Sequence, residues 1–280
     1  MTTTELIVTE PGLYPDMPEA TYHADPVPAG SLSSTGAKKL ITPGGPAKYD
    51  YERRNPPPSK DEFDLGKAFH TAALGAGAEI AVCDYRDWKT NAAKDAKKAA
   101  YEAGLVPLLT HQAAAVEAMV DALRAHPLAA ALLTGGKAEQ SAFWVDERTG
   151  VWRRIRCDYL RANEVIDLKT CDSAAAEAAG RASANYGYHQ QADYYLDGVR
   201  ALDLCPDPAF VFIYVEKTPP HLVHVVQLDG PALAKGAELN ARALDIYAEC
   251  TRTGVWPGYG NDITTVSLPT WATRTEEFTR

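Results

Sequence analysis

Three ionisable side chains near the middle of the chain have the types and spacing that phosphate-ester hydrolysis requires. Asp158 lies in the segment IRCDYL, and Asp167 and Lys169 lie in VIDLKT. Read as strands, these segments alternate their side chains between two faces, so that Asp167 and Lys169 share a face with Val165. Two adjacent strands would then bring two carboxylates and one ammonium group together. Because Mg²⁺ binds carboxylates, water and substrate phosphate, and a lysine can orient or deprotonate a water, the pattern outlines a phosphodiester hydrolysis site.

The same three residues are also compatible with an ordinary surface. Strict alternation on the first strand predicts two opposite sets, Ile155, Cys157 and Tyr159 against Arg154, Arg156 and Asp158. An aspartate followed two positions later by a lysine is common on solvated or salt-bridged edge strands. The three residues alone leave both interpretations open.

Size and composition describe an ordinary globular protein. The chain has 280 residues, of which 46% are hydrophobic, and this is enough for one large domain or a domain with an appended helical part. No apolar run approaches the roughly 20 residues that span a bilayer. The N-terminal segment MTTTELIVTE lacks the basic and apolar regions of a signal peptide. We therefore expect a cytoplasmic protein without a membrane partner.

Cysteines and net charge exclude some classes of site. The five cysteines are widely spaced and form no CxxC pair, so we expect reduced, mostly buried thiols and neither a zinc site nor a disulfide framework. The formal net charge of −9 argues against a protein that coats DNA through a broad basic surface. It permits an enzyme that meets phosphates through a metal ion and a local basic stripe.

The chain divides into four predicted segments. Residues 1–30 form an extended arm, 31–135 a mainly helical part, 136–256 a sheet-containing core and 257–280 a tail, with 31–280 as one domain. Helical periodicity is found at 63–76, 87–103, 110–126 and 230–253, and also over 173–204 with a break between Gly180 and Gly187. The predicted strands are AEQSAFWVD and GVWRRIRCDYL, joined as a hairpin, then EVIDLKT, PAFVFIYVE and HLVHVVQL.

The ordered set of motifs resembles the PD-(D/E)XK nuclease superfamily and, more narrowly, the RecE-type phage exonucleases (exodeoxyribonuclease VIII family). The resemblance runs from about Ser31 to Val226. Its residues are His70 in LGKAFH, Glu139 in KAEQSAFW, Asp158 in RRIRCDYL, Asp167 and Lys169 in VIDLKT, and Gln191 and Tyr195 in GYHQQADYYLDG. The family's N-terminal Ser-x-Ser and Pro-Ala-x-Tyr elements are echoed by Ser31, Ser33 and GPAKYDYER. One departure is Cys157, where the family typically has proline; it changes the neighbour of a ligand and not the ligand.

The resemblance implies a fold and an activity. The fold is an α/β PD-(D/E)XK (restriction-endonuclease-like) core, with a mixed central β-sheet flanked by helices and a mainly helical N-terminal part. The activity is 5′-to-3′ exonuclease digestion of linear double-stranded DNA, which leaves 3′ single strands for recombination. Implied partners are double-stranded DNA ends, a single-strand annealing protein and a homo-oligomeric ring. An endonuclease or nickase of the same fold, and a catalytically silent DNA-binding or assembly module, remain alternatives.

The resemblance also implies roles for residues. Asp158, Asp167 and the backbone carbonyl of Leu168 would bind one or two Mg²⁺ or Mn²⁺ ions, completed by Glu139 and His70. Lys169 would orient or activate the attacking water, while Gln191 and Tyr195 would position the substrate phosphate or the lysine. Four of these residues also have a simpler interpretation when taken alone. His70 would be a core histidine, Glu139 a surface charge, Gln191 a solvated glutamine and Tyr195 a packed tyrosine. Gln190 and Tyr194 offer the same i, i+4 spacing one residue earlier.

Basic and hydroxyl residues suggest where phosphates bind. Ser31, Ser33, Ser34 and Lys38 lie at a predicted helix N-terminus, where free N–H groups favour a terminal phosphate, although simple helix capping explains the serines equally well. Arg154 and Arg156, with Arg153, are candidates for contacts to the DNA backbone, or for a solvated hairpin.

Overall fold

The computed structural model describes residues 6–55, 64–205 and 207–273, in which a mixed β-sheet lies between two layers of helices. The strands are β1 (Gly12–Tyr14), β2 (Leu32–Ser33), β3 (Ile80–Cys83), β4 (Val106–Leu109), β5 (Lys137–Val145), β6 (Trp152–Leu160), β7 (Glu164–Cys171), β8 (Ala209–Glu216) and β9 (Val223–Val226). The helices are α1 (Glu19–His23), α2 (Ser34–Leu40), α3 (Gly45–Arg54), α4 (Asp64–Leu74), α5 (Asn91–Glu102), α6 (Thr110–Ala125), α7 (Pro127–Leu132), α8 (Ala176–Tyr186), α9 (Tyr188–Ala201), α10 (Gly230–Thr253) and α11 (Thr270–Thr273).

The main sheet has the order β1-β5-β6-β7-β8-β9, and β2 adds to β6. Neighbours along this path are antiparallel except β7 and β8, which are parallel and joined through α8 and α9. The residues of β8 are almost wholly buried, as its continuous apolar sequence predicts for a strand covered on both faces. The predicted sequence of helices, three strands, helix, two strands and helix describes this core.

Each face of the sheet has its own hydrophobic core. The first core lies against α2, α9 and α10 and includes Leu40, Trp144, Ile155, Val165, Ala192, Phe212 and Leu244. The second core lies against α4, α6 and α7 and includes Phe69, Met119, Leu123, Ile166, Leu168 and Ile213. Strand β7 contributes Val165 to the first core and Leu168 to the second, so both of its faces are covered and its polar residues lie between two apolar layers.

Strict alternation along β5 and β6 is wrong at one position. Cys157 packs in the first core but Tyr159 packs in the second, and on the partner strand Ala138 also contacts the second core. Glu139, which stands opposite Asp158 in the register, has a left-handed backbone with φ 53°. Both strands therefore change the face that they present where the two acidic residues meet, and a period of two cannot anticipate this.

The N-terminal part holds more structure than an extended arm. Within the described residues 6–30, β1 pairs with β5, and α1 packs its Tyr22 beside Met17 and Phe143. The helical part also contains a small parallel sheet of β3 and β4 that sequence periodicity did not indicate. Part of the predicted helix start at 63–76 lies outside the described residues.

Other features follow the sequence closely. Helix α10 has the predicted bounds, and the predicted break in 173–204 is a single residue, Gly187. All five cysteines are free, and Cys157, Cys205 and Cys250 are buried. Among the described residues, none of the helices has the length and apolarity that crossing a membrane demands.

Candidate active site

Strands β6 and β7 bring the two central aspartates together. The last paired positions are Tyr159 with Ile166, and the next positions along the two strands are Asp158 and Asp167. The Leu168 N–H donates a hydrogen bond to Asp158 Oδ2 at 2.9 Å, and His70 Nδ1 on α4 is 3.4 Å from the same oxygen. The strand pairing therefore opens at the aspartates, and a carboxylate takes the place of a backbone acceptor.

Asp167 is held from two sides. Its carboxylate is buried, with a residue exposure of 3%. Gln191 Nε2 on α9 donates to Oδ1 at 2.5 Å, and Lys169 Nζ forms an ion pair with Oδ2. Burial alone would lower the pKa of Lys169, but the charges of Asp167 and Asp158 outweigh burial and raise it. Lys169 is therefore an ammonium ion in this arrangement.

Glu139 extends the acidic cluster. Its Oε2 accepts a hydrogen bond from Arg156 Nε at 2.6 Å. Burial raises the pKa of Glu139, and Asp158 nearby adds to the rise against the effect of Arg156. Burial likewise raises the pKa of Asp158, with the charge of Asp167 acting in the same direction and that of His70 opposing it. The site thus concentrates carboxylates that are costly to ionise without a further positive charge.

These donors fit a hard divalent cation. Asp158, Asp167 and Glu139 supply carboxylate oxygens, and the backbone of Leu168 lies beside Asp158. Oxygen ligands of this kind suit Mg²⁺ or Mn²⁺. The cluster is not a closed metal cage, since Glu139 is engaged by Arg156 and Asp167 by Lys169; within the described residues no three His, Cys, Asp or Glu side chains form a ready-made metal site.

Helix α9 discriminates between the two glutamine and tyrosine pairs that the sequence offered. Gln191 reaches Asp167, and the Tyr195 hydroxyl donates to the Arg156 carbonyl at 3.1 Å. Tyr194 instead donates to the Leu32 carbonyl at 2.5 Å, in the first core. Gln190 is buried, and its Nε2 has no hydrogen-bond partner among the described residues. The predicted pair, Gln191 and Tyr195, therefore faces the acidic cluster.

A cleft of about 1100 Å³ opens onto this cluster. His70, Glu139, Asp158 and Tyr195 line one part of its wall, and Arg154 and Arg156 line another. Lys67 and Lys217 also lie along it, although sequence reasoning had not singled them out. Lys217 follows the buried strand β8 directly, which is the signal that could have marked it.

The predicted phosphate-binding residues make different contacts in the structure. Ser31 is buried, and its N–H and hydroxyl both donate to the Asp25 carboxylate at 2.7 Å, so both donors are engaged within the fold and phosphate binding by Ser31 stays a prediction. Ser33 caps α2 by accepting the Gly36 N–H at 3.2 Å, which is the simpler of its two predicted roles. Arg154 forms an ion pair with Asp25 at 2.7 Å and is largely committed to the fold.

Lys38 and Tyr188 lie near the cluster on the side of Lys169. Lys38 Nζ donates to the Tyr186 carbonyl at 3.3 Å. Burial, with the charge of Lys169 acting in the same direction and that of Asp167 opposing it, lowers the pKa of Lys38 to about 8. The ring of Tyr188 lies 4.8 Å from Lys169 Nζ, within the range of a cation–π contact. Sequence reasoning missed Tyr188, although it stands three residues before Gln191 and so shares its helix face.

Two solved structures of exonuclease-like proteins align with this chain. A candidate exonuclease from Eubacterium rectale aligns with 13% identity and a TM-score of 0.57, covering 85% of this chain and 91% of its own. A phage-related exonuclease from Haemophilus somnus 129PT aligns with 12% identity and a TM-score of 0.35, covering 80% of this chain and 96% of its own. No curated protein matches the sequence significantly.

A family model matches the sequence over residues 47–269, more than half of the chain. With the central mixed sheet and flanking helices that the sequence predicted, this match makes the fold a PD-(D/E)XK core. The chain belongs to the family described as PDDEXK-like domain of unknown function (DUF3799).

Proposed function

We propose that the chain is a metal-dependent deoxyribonuclease of the RecE type, which hydrolyses phosphodiester bonds at the ends of linear double-stranded DNA in the 5′-to-3′ direction. One observation carries the proposal. Asp158 and Asp167 meet where β6 and β7 part, Lys169 and Gln191 engage Asp167, and Asp158 lines the wall of a large cleft. A buried ion pair alone is poor evidence of function, but its position beside an open, partly basic cleft favours catalysis.

The metal would be held by this cluster. Asp158, Asp167 and the Leu168 carbonyl would bind it, with Glu139 and His70 completing the set, and one or two Mg²⁺ or Mn²⁺ ions are proposed. When bound, such an ion polarises the scissile phosphate and lowers the pKa of a coordinated water.

The protein's own residues account for the remaining requirements. Gln191 and Lys169 fix the orientation of Asp167 by contacting one carboxylate oxygen each. As an ammonium ion, Lys169 can donate to a water or to a phosphate oxygen and offset the negative charge that develops there. To act as a general base it must first lose its own proton, because the pKa of a general base has to lie near the working pH. Tyr195 secures the Arg156 backbone behind the cluster.

The experiment is a time course on linear duplexes that are labelled separately at each 5′ and each 3′ end, with Mg²⁺, with Mn²⁺ and with a chelator. We expect divalent-dependent release of nucleotides from the 5′ label first. Release from the 3′ label first would contradict the polarity, and cleavage of covalently closed circular DNA would favour an endonuclease. Absence of cleavage with either metal would refute the nuclease and favour a DNA-binding or assembly module. The annealing-protein partner, the ring and the cytoplasmic location stay predictions.

A further inference from the structure

A break between two helices sets a pair of tyrosines beside Lys169. Helix α8 ends at Tyr186 and α9 begins at Tyr188, with Gly187 between them in the left-handed conformation at φ 66°. That backbone conformation favours glycine, and a Cβ at position 187 would also lie 2.8 Å from Cδ of the flexible Lys38 side chain. The local sequence therefore fixes the directions in which the two rings leave the chain.

The two rings have opposite environments. Tyr188 lies against Lys169 Nζ at 4.8 Å and against the Phe212 ring at 5.7 Å, on the active-site side. Tyr186 lies 5.7 Å from Tyr188, with an angle of 36° between the ring planes, and 65% of it is exposed. The pair thus runs from the active-site lysine to the solvent and ends in an aromatic ring that is largely uncovered.

A positive charge accompanies the exposed ring. Lys38 Nζ donates to the Tyr186 carbonyl at 3.3 Å, so an ammonium group contacts the backbone of the turn that carries the ring. An aromatic face next to ammonium groups suits a nucleotide, because the base can stack on the ring while its phosphate lies near the cations. Successive nucleotides of one strand rise about 3.4 Å along a duplex axis and are spaced more widely in an unstacked strand, so the two contacts of 4.8 and 5.7 Å together span at most about three nucleotides.

We propose that Tyr186 is a stacking platform for an unpaired base, located within about three nucleotides of the phosphate that Lys169 meets. The proposal rests on the proposed nuclease function and adds to it a binding site for a base of the strand being cut. A base can stack there only after it leaves its own helical stack, so the platform offsets part of the cost of opening a duplex end. Tyr186 is a binding residue in this scheme and touches no reacting atom.

The test compares ring-keeping and ring-removing substitutions. Tyr186→Phe keeps the aromatic face, whereas Tyr186→Leu keeps only an apolar side chain. Affinity for a forked duplex end is measured by anisotropy with Mg²⁺ in a Lys169→Ala background, so that cleavage does not intervene. Stacking of one base on an aromatic side chain, about 1–3 kcal/mol, corresponds to about a 5- to 150-fold change in affinity. We expect Tyr186→Leu to bind more weakly by that factor and Tyr186→Phe to bind within about twofold of its parent.

Duplexes that lack one base at a time locate the contact. Removing the stacked base should weaken the parent and make it equal to Tyr186→Leu, while abasic sites elsewhere should preserve the difference, as in a double-mutant cycle. Tyr51→Leu is the matched control, since Tyr51 is 67% exposed and lies on α3; it should leave every affinity unchanged. The proposal is overturned if Tyr186→Leu binds like its parent, if Tyr186→Phe is equally weak, or if no abasic position abolishes the difference.

The design distinguishes a failure of the stacking proposal from a failure of the nuclease proposal and from a folding defect. Binding is measured without cleavage, so the stacking result stands even if the wild-type chain cuts no DNA with either metal, which would refute the proposed function instead. If Tyr186→Leu melts well below its parent, the abasic series on the Lys169→Ala chain alone decides. A single position near the end must then lower the affinity by the stated factor, and a uniform response to all positions would overturn the proposal.

Discussion

Gln191 offers the sharpest test of how Asp167 is positioned. The side chain is buried, and its Nε2 donates to Asp167 Oδ1 at 2.5 Å. Gln191→Leu keeps the approximate volume and removes the donor, so one buried carboxylate oxygen loses its hydrogen bond. A hydrogen bond to a charged group contributes about 1.5–3 kcal/mol, and we expect the free energy of unfolding to fall by that amount. For a chain of this size the melting temperature should fall by about 3–10 °C.

The same substitution should impair catalysis. With Gln191 gone, Asp167 keeps only its ion pair with Lys169 among the described side chains, and mutating residues that orient metal ligands typically changes metal affinity or activity by about 10- to 100-fold. We expect the Mg²⁺ concentration for half-maximal cleavage to rise, the maximal rate to fall, or both. Titration of Mg²⁺ in the end-labelled duplex assay measures the two effects separately.

Gln190→Leu is a matched control one residue away. Gln190 is 1% exposed and Gln191 9%, so both are buried, but Gln190 Nε2 has no hydrogen-bond partner among the described residues. The substitution therefore breaks no bond of that group, and we expect a stability change below about 1 kcal/mol and wild-type cleavage. If the two leucine variants cannot be distinguished in stability and in Mg²⁺ dependence, the role assigned to Gln191 is wrong.

Three further predictions concern other parts of the structure. Lys169→Ala should leave DNA affinity nearly unchanged but reduce cleavage by about 10²- to 10⁴-fold; anisotropy and the cleavage assay measure the two, and wild-type turnover would refute its role. Gly236→Ala should destabilise the chain by about 1–3 kcal/mol or more, because its Cβ would lie 2.3 Å from the His189 carbonyl oxygen. Gly180→Ala has nothing within 4 Å of its Cβ and should stabilise the chain by about 0.5–1 kcal/mol. Denaturant unfolding measures both free energies, and equal effects would contradict the packing. Burial, helped by the charge of Lys169 and opposed by that of Asp167, lowers the pKa of Lys38 to about 8. Above that pH the unfolded chain therefore binds more protons than the folded chain. The free energy of unfolding attributable to Lys38 should rise from about pH 8 to about pH 10. The difference in unfolding free energy between wild type and Lys38→Met across this range should show the rise, and a constant difference would disprove it.

Elements with strong local signals were predictable. Helix α10 has an Asp229 cap, a proline in its first turn and Gly254 after its end, and these signals lie in adjacent residues. Strand β8 is a continuous apolar run, which suffices for a strand buried on both faces. The short strands β1 and β3 have three and four residues, too few for periodicity to register, and they exist because partner strands lie beside them.

The candidate site also has features that the sequence predicted and features that it could not predict. The types and spacing of Asp158, Asp167 and Lys169 come from the sequence, and so does the prediction that two neighbouring strands bring them together. The sequence could not show that β5 and β6 change faces at Glu139 and Asp158, because a left-handed residue at Glu139 breaks the period of two. Spacing alone could not choose between Gln190 and Gln191, since both have the same spacing to a tyrosine, and the choice of Gln191 came from the family resemblance.

The sequence by itself determined the order of helices and strands and the acidic and basic residues available for chemistry, because local backbone preference and side-chain type are properties of adjacent residues. Only the tertiary structure decided which polar groups meet. Ser31 became buried against Asp25, Arg156 turned to Glu139, and Gln191 reached Asp167 across 24 positions of the chain. Such contacts depend on how α9 packs on the sheet and how the N-terminal segment packs on β5, and packing of this kind is set by the shapes of both surfaces together.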